Sequence, residues 1–322
     1  MPLISKLLLF FVFLNPAYAE VPSKKVSCTN KINLKTPLSL SAPRDQGMKN
    51  WCFAFATADL VADATGILYS PAQMGLNSTD YIRNPGDGFV GRFVAAIKKQ
   101  GACLEKDVKS DDLSFSQKNK DQSFDEIQME YLKLIAKMQD NKSSDADQKK
   151  AGLVYLCDNS KIQDSLADFF HNINPEKLIE SLINFHQKES KDPFQYLVNL
   201  NCKKVMNPKM AKLNPKYINY PGRDFSLFDK VIDSGKILAI EYDAGMLKDY
   251  TTPKDVVNGH ASTIVGRRWN EKKGMCEYLL RNSWGKDCSG YDANYECVDG
   301  HVWIGEKFWK ESDSIRRAIY LE

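Results

Sequence analysis

The apolar pattern of this 322-residue chain changes character twice, and that change limits the fold class before any motif is considered. The front half is helical. "CFAFATADLVADATG" from Cys52 is alanine-rich, with apolar residues at Phe53, Phe55, Ala56, Leu60 and Val61, and it stops at Gly66. Asn50 is the expected N-cap, which puts Cys52 in the first turn. After the turn-rich "NPGDGF" (84–89), "FVAAIKKQG" reads as a second helix closed by Gly101. The chain ends differently. "ILAIEYD", "ASTIVGRRW", "EYLLRNSW" and "HVWIGEKFW" are short, apolar-aromatic and separated by turns, as strands are. The expected class is therefore α+β.

Between these parts, residues 111–216 have a third character. Ser123 with Glu126 forms a capping box, and Phe124, Ile127, Tyr131, Leu134, Ile135 and Met138 follow at helical spacing. A helix opening at "SKIQ" (160–163) and one opening at Asn174-Pro175 complete a lysine-rich helical insertion. The expected organisation is a leader over 1–19, a helical segment over 20–110, the insertion over 111–216 and a β-rich segment over 217–322.

The leader is read from Lys6, the apolar run "LLLFFVFL" (7–14) and "AYA" (17–19), a small-x-small cleavage pattern. The run is far shorter than the ~20 residues of a membrane span. The expectation is export to a secreted or periplasmic location, with no stable membrane insertion after cleavage. A formal net charge of +3 gives no electrostatic case for nucleic acid. The eight cysteines form no CxxC and no Cys/His cluster of zinc spacing, so no metal or other cofactor is expected. In an oxidising compartment most cysteines pair. If one thiol is free, seven remain, so either a second is free or all eight pair. One local bridge is expected among Cys276, Cys288 and Cys297.

Cys52 could thus be half of a disulfide, a buried core thiol or a nucleophile. The histidines narrow the question. His171 and His186 sit beside apolar positions in insertion helices, and His301 starts a strand; each is read as structural. His260, in "NGHASTIVG", stands at a turn-to-strand junction followed by small residues, and Asn282 leaves a later strand beside Trp284 in "LLRNSWG".

"DQGMKNWCFAFA", "NGHASTIVG" and "YLLRNSWG", in that order, resemble the three signature blocks of papain-like cysteine peptidases. "SPAQM", "GDGFVGRFVAAIKKQGACLEKD" and "FDKVIDSGKILAIEYDAGMLKDY" resemble weaker features of the same family. The resemblance implies a two-lobe α+β fold, a helical left lobe against an antiparallel β-barrel-like right lobe, here in a divergent bacterial member carrying an extra helical insertion. Cys52 and His260 are 208 positions apart (260 − 52), against a family expectation of ~130–150. The insertion accounts for the surplus.

The same resemblance implies roles. Cys52 would be the nucleophile, its thiol acidified by a helix start and by a thiolate–imidazolium pair with His260. Asn282 would orient the imidazole, with Trp284 covering that hydrogen bond and contributing to substrate binding. Gln46 and the Cys52 backbone N–H would hold the oxyanion. Asp87 and Gly88 would pair with extended substrate, where glycine permits close approach. The expected partner is a peptide or protein substrate.

Next to the nucleophile the chain departs from the family pattern. Lys49 replaces the usual first cysteine, Asn50 the glycine and Phe53 the tryptophan. These replacements leave open a catalytically inactive binding domain, and export leaves open a Cys/His/Asn acyl transferase or cell-wall peptidase.

Overall fold

The computed structural model describes residues 28–35, 37–47, 50–77, 89–110, 124–140, 144–159, 174–186, 193–219, 225–248, 259–312 and 314–322. The leader, Lys49, Asp87, Gly88, Ser123, His171 and the helix expected after Ser160 lie outside the described residues.

Helix α1 (Cys52–Thr65) is the centre of the helical part. All of it is buried except Phe53, Asp63 and Ala64, so it is a core helix rather than an amphipathic surface one. It lies against α2 (Pro71–Leu76) and α3 (Phe89–Gln100) and on the sheet. Alanine at 54, 58 and 62, each fully buried, lets those neighbours approach closely. A larger side chain at Ala58 would overpack this contact by about 1–3 kcal/mol. The N-cap is Trp51, with no side-chain cap bond, not the expected Asn50; its carbonyl accepts from Ala54 N at 2.8 Å. Gly66 ends the helix at φ 77°, a left-handed conformation that glycine adopts without steric cost.

The strands are β1 (Lys31–Ile32), β2 (Pro215–Asn219), β3 (Leu238–Asp243), β4 (Gly259–Asn270), β5 (Met275–Arg281), β6 (Glu296–Val298), β7 (His301–Gly305) and β8 (Ile315–Leu321). They form one antiparallel sheet in the order β2-β8-β3-β4-β5-β7-β6, with β1 also paired to β4. The long strand β4 takes three partners. At Gly266, which faces Ile32 of β1, an added Cβ would stand 2.6 Å from the Lys31 carbonyl oxygen. Only glycine lets the strands meet there.

Both sheet faces are covered, which is why the strands read as near-continuous apolar runs. Ala239, Ala261, Val265, Leu279 and Ile319 share a core with α1 and α3. Leu238, Ile240, Tyr242, Ile264, Tyr278 and Ile304 share another with α9 (Ser226–Asp233) and α11 (Glu306–Ser312). Two strand expectations change accordingly. "EKFW" is helical, with Trp309 buried beneath the sheet, and α9 precedes β3 within the part read as β-rich.

Residues 124–201 contain α4 (Phe124–Asp140), α5 (Asp145–Asp158), α6 (Pro175–His186) and α7 (Pro193–Asn201). Tyr131, Leu134, Met138, Leu156, Ile179, Leu182 and Leu197 form a separate core that meets Phe55 and Ala72 of the α1–α2 layer. The short helix α8 (Pro208–Lys212) returns to α1, and β2 begins at Pro215, inside the stretch expected to be helical. A last one-turn helix, α10 (Gly245–Lys248), follows β3.

Three disulfides tie these layers. Cys28–Cys276 fixes the N-terminal segment to β5, Cys103–Cys202 joins the loop after α3 to the end of α7, and Cys288–Cys297 is the local bridge expected near the C-terminus. Cys52 and Cys157 are free thiols, the first buried and the second exposed. No described helix is long and apolar enough to cross a membrane.

Candidate active site

Asn282 is the best-defined group. It follows directly on Arg281, the last residue of β5, and its side chain is buried. Its Oδ1 accepts from the Ser283 backbone N–H at 2.8 Å and from Ser262 Oγ at 2.8 Å. A backbone N–H can only donate, so this atom is the amide oxygen. His260 Nε2 lies 2.7 Å from the same oxygen. Nε2 must therefore carry the hydrogen, and in the neutral imidazole Nδ1 is left as the acceptor. Asn282 Nδ2 donates to the Tyr291 hydroxyl at 3.1 Å, which fixes the other end of the amide.

His260 is the second residue of β4, opposite Tyr242 of β3. Its ring meets the Tyr242 ring edge-on at 5.6 Å and tilts against Trp284 at 5.4 Å. Trp284 stacks in turn on Tyr291. Two aromatic residues thus enclose the imidazole. The desolvation lowers its pKa to about 4, although the Asn282 hydrogen bond opposes the shift.

Cys52 begins α1 and is 7 % exposed. Burial pushes its thiol up; the backbone N–H groups of Ala261, Phe53 and Cys52 itself pull the other way without overcoming it, and the charge of Glu241 adds to the rise. The helix start acts in the expected direction, and desolvation outweighs it. Burial thus disfavours the charged form of both Cys52 and His260, which line the same cleft.

Gln46 is held between backbone and side-chain contacts. Its N–H donates to the Ser283 carbonyl at 2.9 Å, and its Oε1 accepts from Ser283 Oγ at 2.5 Å. In this arrangement Ser283 Oγ donates to the Gln46 oxygen, and the amide nitrogen carries the donors. Gln46, Cys52, His260 and Trp284 line one cleft of about 510 Å³, together with Asn50, Glu241 and Arg316. Asn50, one of the residues departing from the family pattern, thus stands in the cleft wall.

A buried charge network ties the three segments that carry these groups. Asp59, seven residues along α1 from Cys52, accepts from Arg44 Nη2 at 2.7 Å and from Arg281 Nε at 3.1 Å. Arg44 precedes Gln46 by two residues, and Arg281 precedes Asn282 by one. Arg44 also pairs with Glu105 at 2.9 Å, and Arg281 donates to the carbonyls of Ser41 and Ala42. His301, read as structural, lies 3.2 Å from Arg281 Nη1. Burial first, and the Arg281 charge second, lower its pKa to about 4.

Ser262, Tyr291, Glu241 and the Asp59 network were not anticipated from the sequence. Ser262 carried a signal, since it stands two residues after His260 on the same strand face. Tyr291 carried none, because its contact depends on the course of the loop after β5. Among the described residues no group of His, Cys, Asp or Glu side chains is arranged to hold a metal ion.

No protein-family model matches the sequence, and no curated protein matches it. Among solved structures, the chain is similar to PepW from Lactobacillus rhamnosis HN001, with 14 % identity, a TM-score of 0.42 and coverage of 91 % of this chain and 81 % of that one. It is similar to the proform of Amb a 11, a cysteine protease and major ragweed pollen allergen, with 14 % identity, a TM-score of 0.42 and coverage of 93 % and 66 %. It is also similar to digestive procathepsin L 3 of the Tenebrio molitor larval midgut, with 14 % identity, a TM-score of 0.42 and coverage of 91 % and 75 %.

Proposed function

We propose that this protein is an exported papain-like cysteine endopeptidase, two lobes with residues 111–216 inserted between them. One observation carries the reading: Cys52, His260 and Gln46 line a single cleft, and Asn282 fixes which nitrogen of His260 can take a proton. Export is supported by the three disulfides.

The steps follow from the groups present. His260 Nδ1 takes the Cys52 proton as Sγ attacks the substrate carbonyl carbon, and the new imidazolium is stabilised by its Nε2–H bond to Asn282. The carbonyl oxygen becomes an oxyanion, held by the Gln46 amide N–H and the Cys52 backbone N–H. Collapse breaks the C–N bond, and the imidazolium returns its proton to the leaving amine. Water, deprotonated by His260, then attacks the thioester, releasing the acid and restoring the thiol.

A second reading is a binding domain without turnover. It is favoured by Asn50 in the cleft wall and by the burial that opposes ionisation of Cys52. Hydrolysis of denatured protein and of a mixed peptide library separates the two. The peptidase reading expects cleavage by the native chain and none by Cys52→Ser; equal cleavage by both removes it, and no cleavage by an intact native fold favours the binding domain.

A further inference from the structure

Strand β3 ends in a mismatch. Ala239 faces the core shared with α1, and two residues on, along the same face, stands Glu241. Glu241 opposes Ala261 in β4, whose backbone N–H reaches Cys52, and it lines the cleft with Cys52 and His260. A carboxylate at the end of an apolar row is costly unless it is paired. Among the described residues Val90 N–H donates to its Oε1 at 3.3 Å. Arg317, opposite Glu241 in the β3–β8 register, and Arg92 stabilise the carboxylate only through longer-range attraction, and burial still pushes its carboxyl up. Arg316 also lines the cleft but is exposed, so solvent screens it more than the half-buried Glu241.

We infer that Glu241 is the specificity-determining acid of this cleft, selecting substrates whose lysine or arginine side chain supplies the close ion pair that no described residue gives it. The inference rests on the peptidase reading for its substrate class.

Two measurements test it. In the first, a positional peptide library is cleaved by the native chain and by Glu241→Gln, a near-isosteric change. The expected result is a preference for Lys and Arg over Leu at one position by at least about tenfold in kcat/KM, lost in Glu241→Gln. The second needs no turnover. In a Cys157→Ser background, Cys52 is modified by methanethiosulfonates carrying either a trimethylammonium or a sulfonate group, with rates read by peptide mass mapping. The cationic reagent is expected to react about tenfold faster or more in the native cleft, with the ratio falling toward unity in Glu241→Gln. If Glu241→Gln or Glu241→Ala does not fold, the native ratio alone decides. A native ratio near unity, or one favouring the sulfonate, overturns the inference whatever the peptide result. Charge selectivity without any peptide cleavage keeps Glu241 as the cation-selecting acid of the cleft and removes the peptidase reading.

Discussion

His260 Nε2 lies 2.7 Å from Asn282 Oδ1, and the same oxygen accepts from Ser262 and Ser283. Three donors converge on one buried oxygen, so the amide serves two purposes at once. It assigns the imidazole tautomer and it satisfies buried polar groups. Asn282→Ala should therefore show both losses. The expected fall in kcat/KM is about 10²-fold or more, because the imidazole loses its orientation. Unfolding by urea should show a loss of about 1–3 kcal/mol from the donors left without an acceptor. A variant of full activity would exclude the orienting role.

Gln46 acts on a different quantity. Its side chain is held against Ser283 and lines the cleft. Gln46→Ala should lower kcat by about 10²–10³ with little change in KM, since an oxyanion donor works in the transition state. Steady-state kinetics on one peptide decides it. A rise in KM at unchanged kcat would show that Gln46 only holds substrate.

Asp59 joins Arg44 to Arg281 in the interior. Arg44 keeps Glu105 if Asp59 is removed, whereas among the described residues Arg281 keeps uncharged acceptors only. Asp59→Ala should cost about 3–5 kcal/mol in urea unfolding, the scale for breaking a buried pair from one side. A loss under 1 kcal/mol would mean that the network does not hold these segments.

Acid should weaken the fold through two histidines. His260 and His301 have folded pKa values of about 4, below the ordinary 6.5. As pH falls, the unfolded chain takes up these protons first. The associated stability is complete above pH ~6.5 and is lost between ~6.5 and ~4, on the order of 3 kcal/mol for His260. Urea midpoints measured across this window should fall steadily, and His301→Gln should reduce the slope. A midpoint that is flat or rising toward pH 4.5 would contradict this.

Much of this arrangement was legible in the sequence because it rests on local patterns. Cys52 to Gly66 has the composition and the stop of a core helix, and the runs holding His260 and Asn282 are apolar enough for strands buried on both faces. The misses have physical reasons. "EKFW" continues an apolar-aromatic run, but Trp309 is buried from a helix packed under the sheet, which no local period reveals. Trp51 displaces Asn50 as the N-cap without a side-chain bond, so cap preference had no hold there. Glu241 was hidden inside "ILAIEYD", where its significance depends on the cleft that β3, β4 and α1 build around it.

The central claim is that Cys52 is a nucleophile activated by His260, and a peptidyl electrophile directed at thiols tests it most directly. The chain holds two free thiols, Cys52 in the cleft and Cys157 exposed on α5, so reactivity and exposure predict opposite targets. Limiting reagent followed by peptide mass mapping should find the label on Cys52, with a rate at least about 10²-fold lower in His260→Ala. Label found on Cys157 alone, or on Cys52 at the same rate without His260, would contradict the account.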